Sequence, residues 1–305
     1  MRLILSAACL AVMPAAASAT APAAAGTTAP ALPDPVRAMV EAAAHTGDKA
    51  KIDVVVAFAK QTNRGAEAEI DRIVAEIAAI RAAEHQAKLA EADYFDNWKG
   101  RGQLGASHAT GNSELTSLTF GLNLQRDGLD WRHRADAILD ITDNRNGKDQ
   151  QRILAGYQID YKFSDRLYSW GRIEYERNRE AGIRRRFAES AGIGWRAVQG
   201  GPFRWDLEAG PALRQTRFDS YSENSIAGRG ASRFAWDLSG VTRFTNDTAL
   251  FVDDAASLSN TAALTSKMFG SIGTRLSYNL GWEEDPPAGL KRLDTTTRVT
   301  LVYDF

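Results

Sequence analysis

Apolar and polar residues alternate one by one along most of the chain, from Trp98 to the C-terminus. In the closing segment RVTLVYDF, for example, Val299, Leu301 and Phe305 share one parity and Arg298 has the other. A period of two is typical of β-strands with one apolar and one polar face. About twelve such segments of roughly ten residues follow one another, which is the length that a tilted strand needs to cross a bilayer.

The predicted strands lie over 98–109, 118–125, 131–141, 152–163, 167–177, 185–198, 204–215, 227–238, 242–252, 262–270, 275–284 and 292–305. Between 238 and 275 the pattern leaves the count open by two strands. Short turns such as RDGLD, FSDR, QGGP and LSG alternate with longer polar loops, among them TDNRNGKD, NREAGI, RFDSYSENS, DDAASLSNT and EEDPPAGLK. This alternation predicts a closed antiparallel transmembrane β-barrel over 95–305, with its long loops outside the cell and both termini in the periplasm.

Aromatic residues on the apolar parity cluster beside the short turns and the chain ends. They are Trp98, Trp131, Trp195 and Trp205, together with Phe163 and Phe305. A transmembrane barrel places such residues in a belt at the membrane–water interface. The alternative is a soluble β-sandwich with tryptophan in its core, but a sandwich gives no reason for tryptophans level with one set of turns.

The polar parity carries charges of both signs, which a closed barrel would turn toward its lumen. We expect an interior network of ion pairs formed by Arg132, Arg134, Asp136, Arg152, Asp160, Arg214 and Arg298, with Asp140, Glu174, Arg186, Glu208, Arg229 and Arg233 as further inward candidates. Barrels of about eight strands are filled and those of about sixteen are open channels, so twelve strands permit either a plugged lumen or a narrow passage. The excess of arginine would favour anions if a solute passes.

The first third of the chain has a different organisation. Residues 1–19 have a positive start, an apolar stretch and an Ala-Ser-Ala end, and therefore predict a cleaved secretory signal peptide. An Ala/Pro/Thr-rich linker, expected to be disordered, covers 20–33. Residues 34–92 have the 3.6-residue period of helices, with Asp34 and Asp48 as expected N-caps and a third helix over about 66–91. This periplasmic helical segment is too thin to be stable alone, so it is expected to pack on itself, on another copy or at the barrel mouth.

Candidate chemistry is sparse. The single cysteine, Cys9, lies in the signal peptide, with too short a preceding segment for a lipoprotein signal, so the mature chain has no disulfide or thiol nucleophile. His108 and Ser113 are the residues that an outer-membrane lipid hydrolase would use, but no third group is available to orient the imidazole. The segment 143–149 lacks the terminal glutamate of a calcium loop.

Charge and motifs narrow the set of partners. The formal net charge of -1 gives no reason to expect nucleic acid. No phosphate-binding fingerprint is present, and no cofactor or metal is expected. Arg184, Arg185 and Arg186, with Arg179 nearby, form a basic cluster that would either bind lipid phosphates at the outer rim or remain solvated.

Several segments resemble the family called domain of unknown function 481, whose members carry the label salt-induced outer membrane proteins. The resemblance rests on WKG, GAS and TGNS within 98–113, EAGPALRQT at 208–216, LSYNLGWEEDPP at 276–287 and DTTTRVTLVYDF at 294–305. It covers about 95–305 and implies an outer-membrane β-barrel. The family brings no established catalytic residues, so the resemblance implies none here.

The expected protein is therefore a non-enzymatic outer-membrane barrel, either structural or a narrow passive pore. A selective small-solute channel, plugged or gated by the helical segment, is the first alternative, and a lipid hydrolase is the second. The expected partners are outer-membrane lipids and the barrel-assembly machinery, because Tyr303 and the terminal Phe305 resemble the signal that this machinery reads. The oligomeric state stays open.

Overall fold

The computed structural model describes residues 31–93, 96–110, 115–142, 150–179, 181–219 and 221–305. The predicted signal peptide, most of the predicted linker, Ser113 and the segment 143–149 lie outside these ranges. The chain forms two compact units, one ending at Ile80 and the other extending from Arg81 to Phe305.

The N-terminal part of the described chain contains helices α1 (Asp34–Thr46), α2 (Lys49–Thr62) and α3 (Glu67–Glu91). Asp48 caps α2 as expected, because its carboxylate accepts hydrogen bonds from the backbone N–H groups of Ala50 and Lys51. Asp34 is not a cap: α1 already includes it, since the Pro33 carbonyl accepts the first amide hydrogen bonds. The helix begins one residue earlier than predicted.

The helices bury a small apolar core of their own, formed by Leu32, Val40, Ala44, Ala59, Ala66, Ile70, Ile73 and Ile77. A charged contact supports it, because the carboxylate of Glu69 pairs with Arg37 and accepts a 3.0 Å hydrogen bond from the backbone N–H of Leu32. Both interactions lower the pKa of Glu69, the backbone hydrogen bond more strongly. Within the described residues, no helix combines the length and apolar character that a membrane crossing needs.

The described residues from 98 onward form twelve antiparallel strands in a closed ring. The strands are β1 (Trp98–Thr110), β2 (Leu115–Asp127), β3 (Trp131–Thr142), β4 (Gln150–Lys162), β5 (Leu167–Asn178), β6 (Ile183–Gly200), β7 (Phe203–Phe218), β8 (Ser222–Asp237), β9 (Thr242–Val252), β10 (Ala256–Phe269), β11 (Ile272–Glu283) and β12 (Leu293–Asp304). Each strand pairs with its sequence neighbours, and β1 also pairs with β12. The predicted strand count and closure are confirmed.

Two predicted loops are largely strand. Strand β8 begins at Ser222, where 227 was expected, and β10 begins at Ala256, where 262 was expected. The residues of RFDSYSENS and DDAASLSNT are polar, which suggested loops, but ladder hydrogen bonds join backbone groups whatever the side chain. Arg217 pairs with Ser222 and Ser257 pairs with Phe251, so the ladders continue through both segments.

The C-terminus closes the ring. The backbone of Phe305 exchanges two hydrogen bonds with Gly100, at 2.8 and 2.9 Å, one residue beyond the end of β12. The Phe305 ring lies so close over Gly100 that an added Cβ there would come within 2.2 Å of it. The rings of Tyr303 and Phe305 stack on the outer face at 6.1 Å. Val302, the apolar residue on the polar parity, is buried inside the barrel.

The outer face is apolar over most of its area, with exposed Leu, Ile, Val and aromatic side chains on all sides. Polar residues interrupt it in places. Glu189 on β6 faces outward between its register partners Ile173 and Leu213. On β9 and β10, Asn260 Nδ2 donates to Thr248 Oγ1 at 2.7 Å and to Asn246 at 3.2 Å.

Candidate functional site in the barrel lumen

The inward face of β3, β4, β5, β7 and β8 brings charged side chains together in the half of the barrel that carries the short turns. Every second residue of a strand points inward, so each strand contributes several. The members described are Arg132, Arg134, Asp136, Asp160, Arg172, Glu174, Asp206, Glu208, Arg229 and Arg233, joined by ion pairs of 2.6 to 3.6 Å. Five arginines therefore face five carboxylates, and the described cluster is electrically balanced. We call it the lumen network.

Glu208 on β7 is the centre of the lumen network, and only 5% of its surface is exposed. Its carboxylate accepts hydrogen bonds from Gln158 at 2.8 Å, Tyr168 at 2.9 Å, Arg233 at 3.0 Å, Arg134 at 3.2 Å and Arg229 at 3.4 Å. A buried carboxylate is tolerated when its oxygens are satisfied in this way. The arrangement holds side chains from several strands tightly together in this part of the lumen.

Four of the seven predicted network residues belong to this cluster: Arg132, Arg134, Asp136 and Asp160. The other three lie in separate groups. Arg152 donates to Thr296 at 2.9 Å and to Asn279 at 3.3 Å, Arg298 pairs with Asp140 at 2.6 Å, and Arg214 pairs with Asp253 at 3.3 Å. The seven predicted residues thus belong to several charge clusters of the interior.

Parity had placed Glu208 inside the barrel but did not identify it as the centre of a network. The role of Tyr168 was missed altogether. Tyr168 follows a short turn, a position typical of interfacial aromatic residues. Its side chain is nevertheless fully buried, and its hydroxyl donates to Glu208. The even-numbered residues of β5 point inward, so the parity of Tyr168 could have shown that its side chain lies in the lumen.

Several contacts cross the lumen directly. Arg134 on β3 contacts Glu208 on β7, Arg152 on β4 contacts Asn279 on β11, and Arg186 on β6 pairs with Glu283 on β11 at 2.8 Å. These strands are four or five positions apart in a ring where opposite strands are six apart. Side chains therefore meet across much of the lumen width in both halves of the barrel.

Parts of the lumen are more open. Inward-facing Asn123 and Gln125 on β2, Asp247 on β9 and Ser259 on β10 remain exposed although they lie inside the ring. Solvent therefore reaches the lumen at β2 and, separately, at β9 and β10, whereas inward residues of β12 between them, such as Arg298 and Thr300, are buried. The interior thus combines a tightly packed charge cluster with polar positions that solvent reaches.

The predicted belt residues lie on the outer face in the half with the short turns. Trp131, Trp195 and Trp205 are 39–47% exposed there. Trp98 is half-buried, with its ring 6.2 Å from the ring of His133. This placement agrees with the sequence expectation, and the interfacial role of these residues stays a prediction.

The other candidate residues within the described part of the chain do not converge on a reactive site. His108 faces outward, with Nδ1 3.3 Å from Thr116 Oγ1. Among the described residues, no three acidic, histidine or cysteine side chains converge as a metal site would require. The basic cluster is divided: Arg186 points inward to Glu176 and Glu283, Arg184 pairs with Asp219 at 3.4 Å, and Arg185 faces outward.

Solved structures similar to this chain are also barrels. The NanC porin has a TM-score of 0.46 at 10% identity, over 66% of this chain and 98% of that chain. The translocator domain of the autotransporter NalP from Neisseria meningitidis has a TM-score of 0.41 at 11% identity, over 75% and 96%. These scores are too low to bear on function, and the fold assignment rests on the strand pairing itself.

Sequence comparison is more specific. The "Uncharacterized protein YdiY" of Escherichia coli (strain K12) is 24% identical over 208 residues, which cover 67% of this chain and 82% of that protein. The family model described as "Protein of unknown function, DUF481" matches residues 102–305, which include most of β1 and all the strands that follow. The chain therefore belongs to the DUF481 family.

Proposed function

We propose that this protein is an exported, non-enzymatic outer-membrane barrel whose lumen is a narrow passive pore at most. The apolar outer face supports the membrane location, because a closed ring satisfies every ladder hydrogen bond and such a surface is stable in lipid. The predicted signal peptide supports export.

The observation that carries the proposal is the set of hydrogen bonds on Glu208. Its donors come from β3, β4, β5 and β8, so a single carboxylate ties together side chains from much of the ring. The exposed inward residues Asn123 and Asp247 favour a narrow water-filled path over a solid core. The hydrolase alternative requires His108 on the outer face, where it lies, but the neighbour of its Nδ1 is the Thr116 hydroxyl at 3.3 Å and not a carboxylate that would orient the imidazole.

Conductance across a planar bilayer tests the pore. We expect the full mature chain to give small steps or none, and Arg134→Ala/Arg233→Ala to give larger steps because two side chains that narrow the lumen are removed. Arg166→Ala is the matched control, since this arginine lies exposed in a short turn. Large steps from the unaltered barrel would refute the proposal. Large steps that appear only after removal of residues 20–92 would instead favour the gated channel.

Membrane fractionation followed by heat-modifiable gel mobility tests the location. A folded barrel migrates faster before boiling than after it. A protein found in the soluble fraction with no mobility change would overturn the membrane assignment.

A further inference from the structure

Three arginines face outward at the end of the barrel opposite the short turns. Arg185 on β6 and Arg217 on β7 are direct register partners and both are exposed. Arg177 on β5 has the outward parity of Tyr175 and lies at the bulge between Glu176 and Asn178. The three side chains occupy neighbouring strands at about the same height, and we call them the arginine trio.

The arginine trio has no counterion within the described part of the chain, where no carboxylate lies within ion-pair distance of any of its members. The adjacent arginines differ: Arg184 pairs with Asp219, and Arg186 pairs with Glu176 and Glu283. Like charges directly opposite each other in a ladder are destabilising. An external anion would remove this cost.

The height of the trio indicates where that anion lies. Along β6, Arg185 is ten residues from Trp195, the belt residue near the short turns. At roughly 3.3 Å per residue and a tilt of about 40°, this separation corresponds to about 25 Å, the height of the apolar band of an outer-membrane barrel. The ring pair Tyr175–Phe187, at 5.0 Å, lies one step closer to the middle of the strands. The trio is thus at the level where lipid headgroups begin.

We propose that Arg177, Arg185 and Arg217 bind a phosphate group of a lipid in the outer leaflet. A guanidinium group presents paired N–H donors that match phosphate oxygens. Exposed Ile173 and Leu213, farther along the same strands, offer an apolar surface for the acyl chains. The site rests on the membrane placement under the proposed function, and a dissolved phosphate ion would gain nothing from this apolar surface.

The nearby acidic groups that the structure describes do not compete directly for the trio. Asp219 is engaged by Arg184. Glu189 is on the far side of the Tyr175–Phe187 pair, between Ile173 and Leu213. Gln215, the register partner of Phe187, adds an amide beside the site.

Lipid binding to the folded full-length mature protein in neutral detergent tests the site, with native mass spectrometry counting bound lipid A. Arg185→Gln/Arg217→Gln is expected to weaken binding about 25-fold, at about fivefold for each basic residue removed. Arg185→Lys/Arg217→Lys should keep most of the affinity. Arg166→Gln, at the opposite end of the barrel, is the matched control and should bind as the unaltered protein does.

Four results would overturn the proposal. The first is equal lipid binding by the unaltered protein and the glutamine double variant, and the second is a loss of lipid binding with Arg166→Gln as large as with the double variant. The third is no lipid binding by the unaltered protein or any variant. The fourth is binding of inorganic phosphate alone with the same dependence on the trio. Each preparation is checked for heat-modifiable mobility first, so failure of the barrel itself is distinguished from failure of the lipid site. Arg217→Gln alone replaces the double variant if that variant does not fold, with an expected loss of about fivefold.

Discussion

Replacing Glu208 by glutamine is the most direct test of the lumen network. The substitution keeps the size and one carbonyl oxygen of the side chain but removes its negative charge. Arg134, Arg229 and Arg233 would then face a neutral amide, whose NH2 group donates where the carboxylate accepted. The balanced cluster would carry one uncompensated positive charge.

The expected cost follows from burial. Removing one partner of a buried ion pair destabilises a protein by about 3–5 kcal/mol. The Arg233 side chain is 24% exposed, so lumen water can partly solvate it, and we take the lower end. A loss of about 3 kcal/mol corresponds to roughly a hundredfold change in the folding equilibrium constant.

Urea unfolding of the protein in lipid vesicles, followed by tryptophan fluorescence, measures this change. Asp254→Asn is the matched control, because this carboxylate is exposed in the connection between β9 and β10 and should change stability by less than about 0.5 kcal/mol. A loss below about 1 kcal/mol for Glu208→Gln would show that the network does not hold the lumen walls together.

Three further predictions concern other parts of the molecule. Deleting Phe305 removes two backbone hydrogen bonds to Gly100 where β12 meets β1, so we expect less membrane-inserted barrel by heat-modifiable mobility. Normal insertion would count against its role as an assembly signal. Replacing Glu189 by leucine should raise the free energy of unfolding in vesicles by about 1–2 kcal/mol, because a carboxyl leaves the lipid-facing surface, and a decrease would show that Glu189 has a partner there. The pKa of Glu69 is lowered, so its stabilisation of the helices is present above about pH 4.5 and is lost as the pH falls through the folded-state pKa. Amide exchange of the helices against pH should show this loss in the unaltered chain, and its persistence in Glu69→Gln would refute the assignment.

The alternating pattern by itself determined which residues of each strand face the lumen and which face outward. Successive Cβ atoms point to opposite sides of a sheet, so the parity of Arg132, Arg134 and Asp160 was sufficient to place them inside. The same reasoning placed Trp195 outside and predicted the ring of twelve strands. Polar composition led to a wrong prediction at the segment that begins β8. It was expected to be a loop, although its backbone continues the β7–β8 ladder.

Only the tertiary structure decided which inward residues meet. Contacts such as Arg134 with Glu208 depend on how far the ring brings β3 toward β7, and ring width and stagger are properties of all twelve strands together. Alternation alone puts Arg185 outside with Phe187 and leaves Arg186 inside, but the register of β6 against β7, which shifts between Ile183 and Arg185, decides that Arg217 lies opposite Arg185. Parity is a local property of the chain, whereas a binding partner across the lumen or along the rim is set by long-range register, and no single segment encodes it.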